Sequence, residues 1–225
     1  MELHKKLFWY LIERSIVSCG LTLLEKLRKF GYTIPYFCYH WLLCIAGNCR
    51  MCLVGICGLE RYEISCNKWK MLEEVEELLA IVECFGVLKL RFKISEFLLL
   101  NHPLDCFVCD QSGECDLQDI VIVTKKNSFS NSFLKRDFIN VVDYFMIRTA
   151  MTRCIHCTRC VRFIEEFTKM SSFGLVSRGL HFLIGCFFNH SLEIDSYLET
   201  VIEFCPVGGL NSRLSFLVVH GSVNM

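Results

Sequence analysis

Short apolar runs and one amphipathic stretch organise the start of the chain. Residues 7–12 and 16–19 are apolar runs separated by charged and polar residues, which predicts two short strands joined by a turn. Thr22 is placed to cap a helix that extends to Phe30 with leucines along one face, and Gly31 is typical of a helix end. We therefore predict two strands followed by a helix.

Apolar periodicity returns in the middle of the chain. Residues 71–85 place apolar side chains every three or four positions, with glutamates opposite, which predicts an amphipathic helix with a solvated acidic face. Residues 88–101 predict a further helix that Pro103 ends, so that His102 is delivered to the loop that follows. Farther on, residues 120–124 predict a strand, and the Asn-rich and Ser-rich stretch after it predicts a polar loop.

Composition indicates a protein whose surface is largely covered by partners. Hydrophobic residues make up 53% of the 225 residues, charged residues 21%, and the net charge is +0. The even scatter of Lys and Arg does not favour nucleic acid or an anionic membrane as a partner. No apolar run reaches the ~18 residues of a membrane-spanning helix. We therefore expect the apolar excess to face other subunits.

Sixteen cysteines are the strongest chemical signal in the composition. A disulfide framework is typical of secreted proteins, yet the first residues do not form a signal peptide. Clustered Cys-x-x-Cys spacing in a long aliphatic chain favours metal binding instead. Five cysteines fall outside the clusters and are expected to be small buried hydrophobic residues. They are Cys19, Cys44, Cys57, Cys84 and Cys186.

One imidazole and three thiols are concentrated in the loop after the second predicted helix. His102, Cys106, Cys109 and Cys115 fall within fourteen residues, so a short irregular loop could turn all four toward one object. Iron-sulfur clusters are usually held by four cysteines, and His replaces Cys only in special cases. A His at a helix end is more often a cap or a surface residue, but the three cysteines that follow favour ligation. We predict a cluster site with one His and three Cys.

An earlier cysteine set follows the first predicted helix. Strand, strand, helix and cysteine loop is the order of a β-grasp ferredoxin. The set consists of Cys38, Cys49, Cys52 and, after a predicted strand pair, Cys66. We predict a [2Fe-2S] centre, with Gly47 and Asn48 in left-handed conformations that turn backbone N–H groups toward the sulfurs. Zinc on the Cys-x-x-Cys pair is the alternative, although the long preceding loop is unlike a zinc knuckle.

A third set combines three closely spaced cysteines with a remote Cys-Pro. Its members are Cys154, Cys157, Cys160 and Cys205. Three such thiolates suit three corners of a cubane, so we predict one [4Fe-4S] centre, with zinc again the alternative. The bacterial ferredoxin run has a second cluster's ligand four residues after its third Cys, where this chain has Ile164. His156 is expected at the surface or in a hydrogen bond. Flanking arginines either offset cluster charge or form ordinary ion pairs: Arg50, Arg153, Arg159 and Arg162.

The stretches around these cysteines also carry a family resemblance. They read CYH at 38–40, AGNCRMCLV at 46–54, NHPLDC at 101–106, GECDLQD at 113–119 and TRCIHCTRCVRF at 152–163. They resemble the N-terminal region of the large iron-sulfur subunit of respiratory complex I, over nearly the whole chain and with the motif sets in the same order.

That resemblance implies an α+β chain in three parts. These are a [2Fe-2S] ferredoxin-like domain over 1–70, a helical segment with the one-His, three-Cys [4Fe-4S] site over 71–119, and a four-Cys [4Fe-4S] lobe over 120–225. It implies an electron relay of NADH:ubiquinone oxidoreductase with no substrate site of its own. Electrons would come from NADH through a flavin on a neighbouring subunit, and pass the Cys38 set, the Cys154 set and then the His102 set toward ubiquinone.

The resemblance also implies partners and a location. The partners would be the flavin-binding and NADH-binding subunit and a downstream iron-sulfur subunit of the peripheral arm. The location would be the matrix side of the mitochondrial inner membrane, or the cytoplasmic face in a bacterium. Family members usually continue into a domain like that of molybdopterin oxidoreductases, which we expect to be encoded separately or absent. The early first strand and the shortage of Ala and Pro favour synthesis inside the organelle.

Two departures and two alternatives accompany this interpretation. Phe107 stands where the family usually has Pro, and Ser112 where it usually has Gly, but neither change removes a ligand. One alternative is the small diaphorase subunit of an NAD-linked hydrogenase, whose additional cluster ligands are disfavoured by Ile164. The other is a zinc-stabilised interaction module without a redox role.

Overall fold

The computed structural model describes residues 21–56, 59–68, 80–124, 135, 147–169, 173–178, 181–186 and 197–212. Its helices there are α1 (Leu23–Lys29), α2 (Phe85–Asn101), α3 (Asp116–Thr124), α4 (Arg159–Phe163) and α5 (Leu198–Glu203). A π-helical turn, Ile164–Thr168, continues α4, and 3-10 turns span Ser65–Asn67 and Cys106–Val108. The strands are β1 (Leu53–Ile56), β2 (Glu63–Ile64), β3 (Ala80–Ile81), β4 (Ile147–Thr149), β5 (Phe173–Val176), β6 (Leu183–Cys186) and β7 (Leu210–Ser212).

The chain divides into two compact units. The first comprises the residues up to Tyr39 and from Gly47 to Ile94, and the second comprises His40–Ala46 and the residues from Ser95 onward. The second unit therefore includes a short segment that lies between two cysteines of the Cys38 set in the sequence.

In the first unit, a three-stranded antiparallel sheet accompanies α1. The strand order is β2-β1-β3, with Leu53 opposite Ile64 and Gly55 opposite Ile81. Helix α1 packs against the 3-10 turn Ser65–Asn67, and the N–H of Leu23 donates to the carbonyl of Lys68 at 2.8 Å. Buried leucines of α1 contribute to the apolar interior: Leu23, Leu24 and Leu27.

The start of α1 has a complete capping box. The Glu25 N–H donates to Thr22 Oγ1 at 3.3 Å, and the Thr22 N–H donates to Glu25 Oε2 at 2.7 Å. The hydroxyl of Tyr39 donates to Glu25 Oε1 at 2.7 Å, which ties the helix start to the residue after Cys38. This confirms the predicted cap at Thr22, and Gly31, at φ +86°, occupies the left-handed position that ends the helix.

Replacing Thr22 with alanine should lower the free energy of unfolding by about 1 kcal/mol, because the Glu25 N–H loses its acceptor. Chemical denaturation of the purified chain would measure the change. Thr22→Ser keeps the hydroxyl and should cost much less. Equal losses in the two variants would mean that the cap does not stabilise the helix.

In the second unit, two antiparallel strand pairs surround an apolar core. Strand β4 pairs with β7, placing Ile147 opposite Ser212, and β5 pairs with β6, placing Phe173 opposite Cys186. The core is built from side chains of these strands and of α4 and α5, together with Leu43: Ile147, Met151, Cys160, Phe163, Ile164, Phe173, Ile184, Val201, Phe204 and Leu210. The pairing of β4 with β7 therefore joins residues 147–149 to residues 210–212, which are far apart in the sequence.

Two predicted elements are wrong in the described residues. Residues 120–124 belong to helix α3 and not to a strand, because a helix pairs its own backbone groups and Asp116 and Asp119 stabilise its amino-terminal end. The helix predicted over 71–85 is replaced at 80–81 by β3, which pairs with β1, and α2 begins only at Phe85. Helix α2 itself ends at Asn101, as predicted.

Several predicted elements lie outside the described residues. They are the strands at 7–12 and 16–19, the helical residues 71–79, and the polar loop that follows residue 124.

Candidate metal centres

In the first unit, the thiols of the Cys38 set converge. The thiol of Cys38 is hydrogen-bonded to those of Cys49 and Cys66, and the thiol of Cys52 is hydrogen-bonded to that of Cys66. Cys38, Cys52 and Cys66 are buried, and Cys49 is half-buried. The positions follow from the local fold, since Cys52 directly precedes β1 and Cys66 lies in the 3-10 turn after β2.

Hydrogen bonds favour the thiolate form in part of this set. Bonds from the thiols of Cys49 and Cys66, together with the backbone N–H groups of Cys49 and Asn48, lower the pKa of Cys38 despite its burial. A bond from Cys66 lowers the pKa of Cys52. The thiolate is the form that binds metal, so this donor set suits a positively charged iron centre.

The loop geometry differs in part from the prediction. Gly47 is left-handed, at φ +60°, as expected, but the second left-handed residue is Arg50, at φ +58°, and not Asn48. Arg50 lies between Cys49 and Cys52, where the backbone has to turn between two sulfurs. The N–H of Asn48 nevertheless donates to Cys38 from its ordinary conformation.

Sequence reasoning missed a buried cation in this unit. Arg91 of α2 is 5% exposed, and its Nη2 donates to the carbonyl of Leu53 at 2.6 Å. Burial lowers its pKa, while the charges of Cys52, Glu83 and Cys84 act to raise it. Arg91 therefore places positive charge near Cys52. The signal in the sequence was an arginine in a largely apolar helix, although Lys89, Lys93 and Glu96 in the same helix give no hint of which charge is buried.

In the second unit, the residues of the His102 set lie in the loop between α2 and α3. His102 follows the last residue of α2, and its Nδ1 is buried without a hydrogen-bond partner among the described residues. Burial is the main cause that lowers its pKa, which favours the neutral imidazole that can bind metal. The exposed Lys135 donates to the carbonyl of His102 at 2.5 Å.

The cysteines of this set occupy three different environments. Cys106 begins a 3-10 turn and is exposed, Cys109 ends that turn and is half-buried, and Cys115 is buried just before α3. Cys109 and Cys115 are close enough for their charges to interact, and the N–H groups of Leu117 and Gln118 face the sulfur of Cys115. An unpartnered ring nitrogen and N–H groups directed at sulfur are compatible with binding of an iron-sulfur cluster.

The Cys154 set converges most deeply. Cys157 and Cys160 are buried, and the charge of Cys160 interacts with those of Cys154, Cys157 and Cys205. Burial raises the pKa of Cys157 to about 12 and raises that of Cys160 well above the ordinary value of a thiol. A bound cation would be needed to hold these thiols in the thiolate form.

Left-handed residues alternate with the cysteines of the Cys154 loop. His156 has φ +55° and Thr158 has φ +62°. The N–H of His156 lies 3.4 Å from Cys154 Sγ, and the N–H groups of Arg159 and Val161 face Cys157 and Cys160. Such nests of N–H groups bind anions and occur at iron-sulfur sites. The ring of His156 packs edge-on against Phe182 at 4.7 Å.

The strand pair β4 and β7 brings the remote cysteine to the others. The Ala150 N–H donates to the Gly209 carbonyl at 2.8 Å, and a Cβ on Gly209 would lie 3.4 Å from Cys154 Cα. Cys205 follows α5, and its N–H donates to the carbonyl of Ile202. Ile164, where some ferredoxins have a further ligand, is buried in the core.

The segment His40–Ala46 is fixed within the second unit. The ring of His40 lies 4.4 Å from that of Phe204, the neighbour of Cys205. The carboxylate of Glu166 accepts the Cys44 N–H at 3.1 Å, and Arg162 donates to the Cys44 carbonyl. Arg162 is therefore held by a hydrogen bond to a backbone carbonyl, and its charge, with that of Arg159, acts to lower the pKa of Cys157.

The cysteines outside the three sets differ in surroundings. Cys44 is exposed, contrary to the expectation of a buried residue, and Cys84 is half-buried, with its sulfur 3.5 Å from the Val87 N–H at the start of α2. Cys19, Cys57 and the side chain of Cys186 lie outside the described residues.

The described part of the chain has neither a site for a single metal ion nor a membrane-spanning helix. No group of three or more His, Cys, Asp or Glu side chains there is arranged to hold a single metal ion. The four ligands of an iron-sulfur cluster are distributed over two or four iron atoms, so such a set need not be arranged around one ion. Among the described helices, none is long and apolar enough to cross a membrane.

Comparison with known proteins gives the family context. Residues 145–211 match the family model described as NADH-quinone oxidoreductase subunit 3, ferredoxin-like domain. Residues 91–124 match that of the NADH-ubiquinone oxidoreductase-G iron-sulfur binding region. The NADH-ubiquinone oxidoreductase 75 kDa subunit of Dictyostelium citrinum is 41% identical over 196 residues, which cover 86% of this chain and 28% of that protein. This chain is homologous to the iron-sulfur regions of the 75 kDa and G-type subunits.

Other relatives show the same similarity. The G-type NADH-quinone oxidoreductase protein of Rickettsia typhi is 40% identical over 206 residues, covering 88% of this chain and 28% of that protein. The 75 kDa subunit of Reclinomonas americana gives the same values. The chain thus spans 28% of the length of these relatives. The resemblance predicted from the cysteine motifs is confirmed.

A solved structure supports the fold alone. A chain in the crystal structure of NAD+-reducing [NiFe]-hydrogenase in the H2-reduced state superposes with a TM-score of 0.74 at 23% identity, covering 86% of this chain and 81% of that one. Together with the ferredoxin-like family model, this confirms a mixed α and β fold with ferredoxin-like iron-sulfur regions.

Proposed function

We propose that the chain is an electron-relay subunit of an NADH:quinone oxidoreductase, with one [2Fe-2S] and two [4Fe-4S] centres. The proposed ligands are Cys38, Cys49, Cys52 and Cys66 for the first; His102, Cys106, Cys109 and Cys115 for the second; and Cys154, Cys157, Cys160 and Cys205 for the third. The observation that carries the proposal is the convergence of the Cys154 set, in which thiols distant in the sequence meet beneath backbone N–H groups.

The chain's own residues would bind the centres, limit their contact with water and set their potentials. When bound, iron-sulfur clusters accept and release one electron at a time, over potentials of about −700 to +450 mV. Burial of Cys157 and Cys160 keeps water from the third site. The N–H groups facing the sulfurs stabilise negative charge, and so favour the reduced state. Neutral His102 contributes one negative charge fewer than a cysteine would.

The proposed partners and location follow from the relatives. The chain would receive electrons from NADH through a flavin on a neighbouring subunit and pass them, through a downstream iron-sulfur subunit, toward ubiquinone. It would lie in the peripheral arm, on the matrix side of the mitochondrial inner membrane or on the bacterial cytoplasmic face.

Metal content and low-temperature EPR of the native assembly test the proposal. We expect about ten iron atoms and little zinc attributable to this chain. We also expect three reducible signals from it after dithionite treatment, one from a two-iron and two from four-iron centres. Zinc without a reducible signal would instead identify a structural module. A hydrogenase-type subunit shares the fold, and that alternative would require co-purification with a hydrogenase.

The His102→Cys variant should lower the midpoint potential of one four-iron centre only, on the order of 100 mV, because a thiolate adds negative charge where a neutral imidazole stood. A redox titration followed by EPR would measure all three potentials. His156→Gln is the matched control, since the ring of His156 packs on Phe182 and its backbone N–H is retained. If His102→Cys leaves every potential unchanged, His102 is not a ligand.

A further inference from the structure

The His102 set and the Cys154 set meet within the second unit through residues that adjoin their ligands. Asp105 precedes Cys106, and Arg153 precedes Cys154. The guanidinium of Arg153 donates to Asp105 Oδ2 from Nε at 3.0 Å and from Nη2 at 2.7 Å. Each ligand set therefore supplies one partner of the same ion pair.

The charge of Arg153 faces the His102 set from the other ligand loop. Its guanidinium interacts with the charges of Cys109 and Asp110 as well as with Asp105, and its backbone is hydrogen-bonded to His102. The Arg153 side chain is only 12% exposed, so solvent and salt screen its charge weakly. A cation that adjoins Cys154 in the sequence therefore acts on the charges around the ligands of the His102 set.

Other contacts hold the two ligand loops together independently of this pair. The Asp116 N–H donates to the Pro206 carbonyl at 3.0 Å, which joins the residues after Cys115 and Cys205. Gly208 lies so close to Cys109 that a Cβ would be 3.4 Å from its Sγ. The Arg159 guanidinium lies 3.6 Å from Asp116 Oδ2. Removing the charge of Arg153 therefore leaves the loops connected.

We infer that Arg153 and Asp105 are a positioning pair that tunes the two proposed four-iron centres together, Arg153 favouring and Asp105 opposing their reduction. The inference rests on the proposed function. Adding an electron to a cluster adds one negative charge, which a nearby cation stabilises and a nearby carboxylate destabilises. Because the pair adjoins ligands of both sets, both centres respond.

The direction in which the midpoint potentials shift distinguishes this role from a merely structural one. Arg153→Gln removes the cation and should lower both midpoint potentials, whereas Asp105→Asn removes the anion and should raise both. The double variant should return both potentials toward those of the unchanged chain. Loss of a structural ion pair alone would shift the potentials in the same direction in both single variants, since either change breaks the same contact.

The experiment is a redox titration of the native assembly, with EPR of both four-iron centres. For each single variant we expect a threefold to tenfold change in the one-electron reduction equilibrium of both centres, the upper value being about 59 mV. Arg153→Lys keeps the charge, so both midpoint potentials should stay close to those of the unchanged chain. Arg178→Gln removes an equal charge from an exposed residue of the same unit and should change neither potential.

The outcomes separate failure of this inference from failure of the proposed function. Absence of four-iron signals from the unchanged assembly overturns the proposed function, and this inference with it. Normal signals whose potentials shift in the same direction in Arg153→Gln and Asp105→Asn, or shift at one centre only, overturn the inference alone. If Arg153→Gln does not assemble, the other two variants still test the inference. Asp105→Asn should raise both midpoint potentials, and Arg153→Lys should leave them nearly unchanged.

Discussion

Alanine at Gly208 should lower the free energy of unfolding by about 3 kcal/mol and disturb both proposed four-iron centres. Gly208 has φ +58°, where an L residue costs about 1–2 kcal/mol. Its new Cβ would lie 2.7 Å from Gln111 Cβ, an atom close to the backbone, and such overpacking costs about 1–3 kcal/mol. Gln111 is further held by a hydrogen bond to the Glu114 carbonyl at 3.1 Å. Chemical denaturation and EPR would measure the two effects.

Gly113 provides the matched control for this variant. It is also left-handed, at φ +88°, but a Cβ there would meet no atom within 4 Å. Gly113→Ala should therefore cost only about 1–2 kcal/mol and leave the contact between the two ligand loops intact. Equal losses of stability in the two variants would show that the backbone conformation at residue 208, and not the close approach of the loops, makes a side chain unfavourable there.

Serine at Cys160 should abolish the four-iron centre of the Cys154 set. Cys160 lies in the apolar core with Phe163 and Ile164, so a serine hydroxyl there would both fail as a soft ligand and remain buried without a partner. The unpaired hydroxyl alone costs about 1–3 kcal/mol. EPR of the reduced assembly should lose one four-iron signal and retain the one assigned to the His102 set.

Cys44→Ser tests whether this loss is specific to a ligand. Cys44 is exposed, and its backbone N–H and carbonyl contact Glu166 and Arg162. Its thiol is also hydrogen-bonded to Glu166, and a serine hydroxyl can replace that bond, so this variant should retain all three signals. Retention of the Cys154-set signal in Cys160→Ser would contradict the proposed ligand assignment.

The sequence predicted the local features well, because they depend on short-range chemistry. The cap at Thr22, the end of α2 before Pro103 and the left-handed Gly47 each follow from one side chain or its absence. The gathering of the cysteine sets was predicted from spacing for the same reason. The ligand assignments themselves stay predictions until metal is measured.

The features that sequence reasoning missed depend on contacts between distant residues. Residues 120–124 have the β-branched, apolar character of a strand, yet they form a helix that begins beside Cys115. The role of Arg91 depends on a carbonyl in β1, and the pair of Arg153 and Asp105 depends on two loops meeting. Neither partner could be identified without the fold.

The pairing of β4 with β7 has a consequence for how the chain acquires its cofactors. Cys205 can approach Cys154 only after the strand that follows it has been synthesised and paired, whereas the His102 set is contained in a single loop. Pairing between distant strands forms slowly, since a long loop must close first. We therefore expect the Cys154 set to be the last of the three to become able to bind iron during biogenesis. Slow translation or early termination would then prevent cluster assembly at this site before it affected the other two.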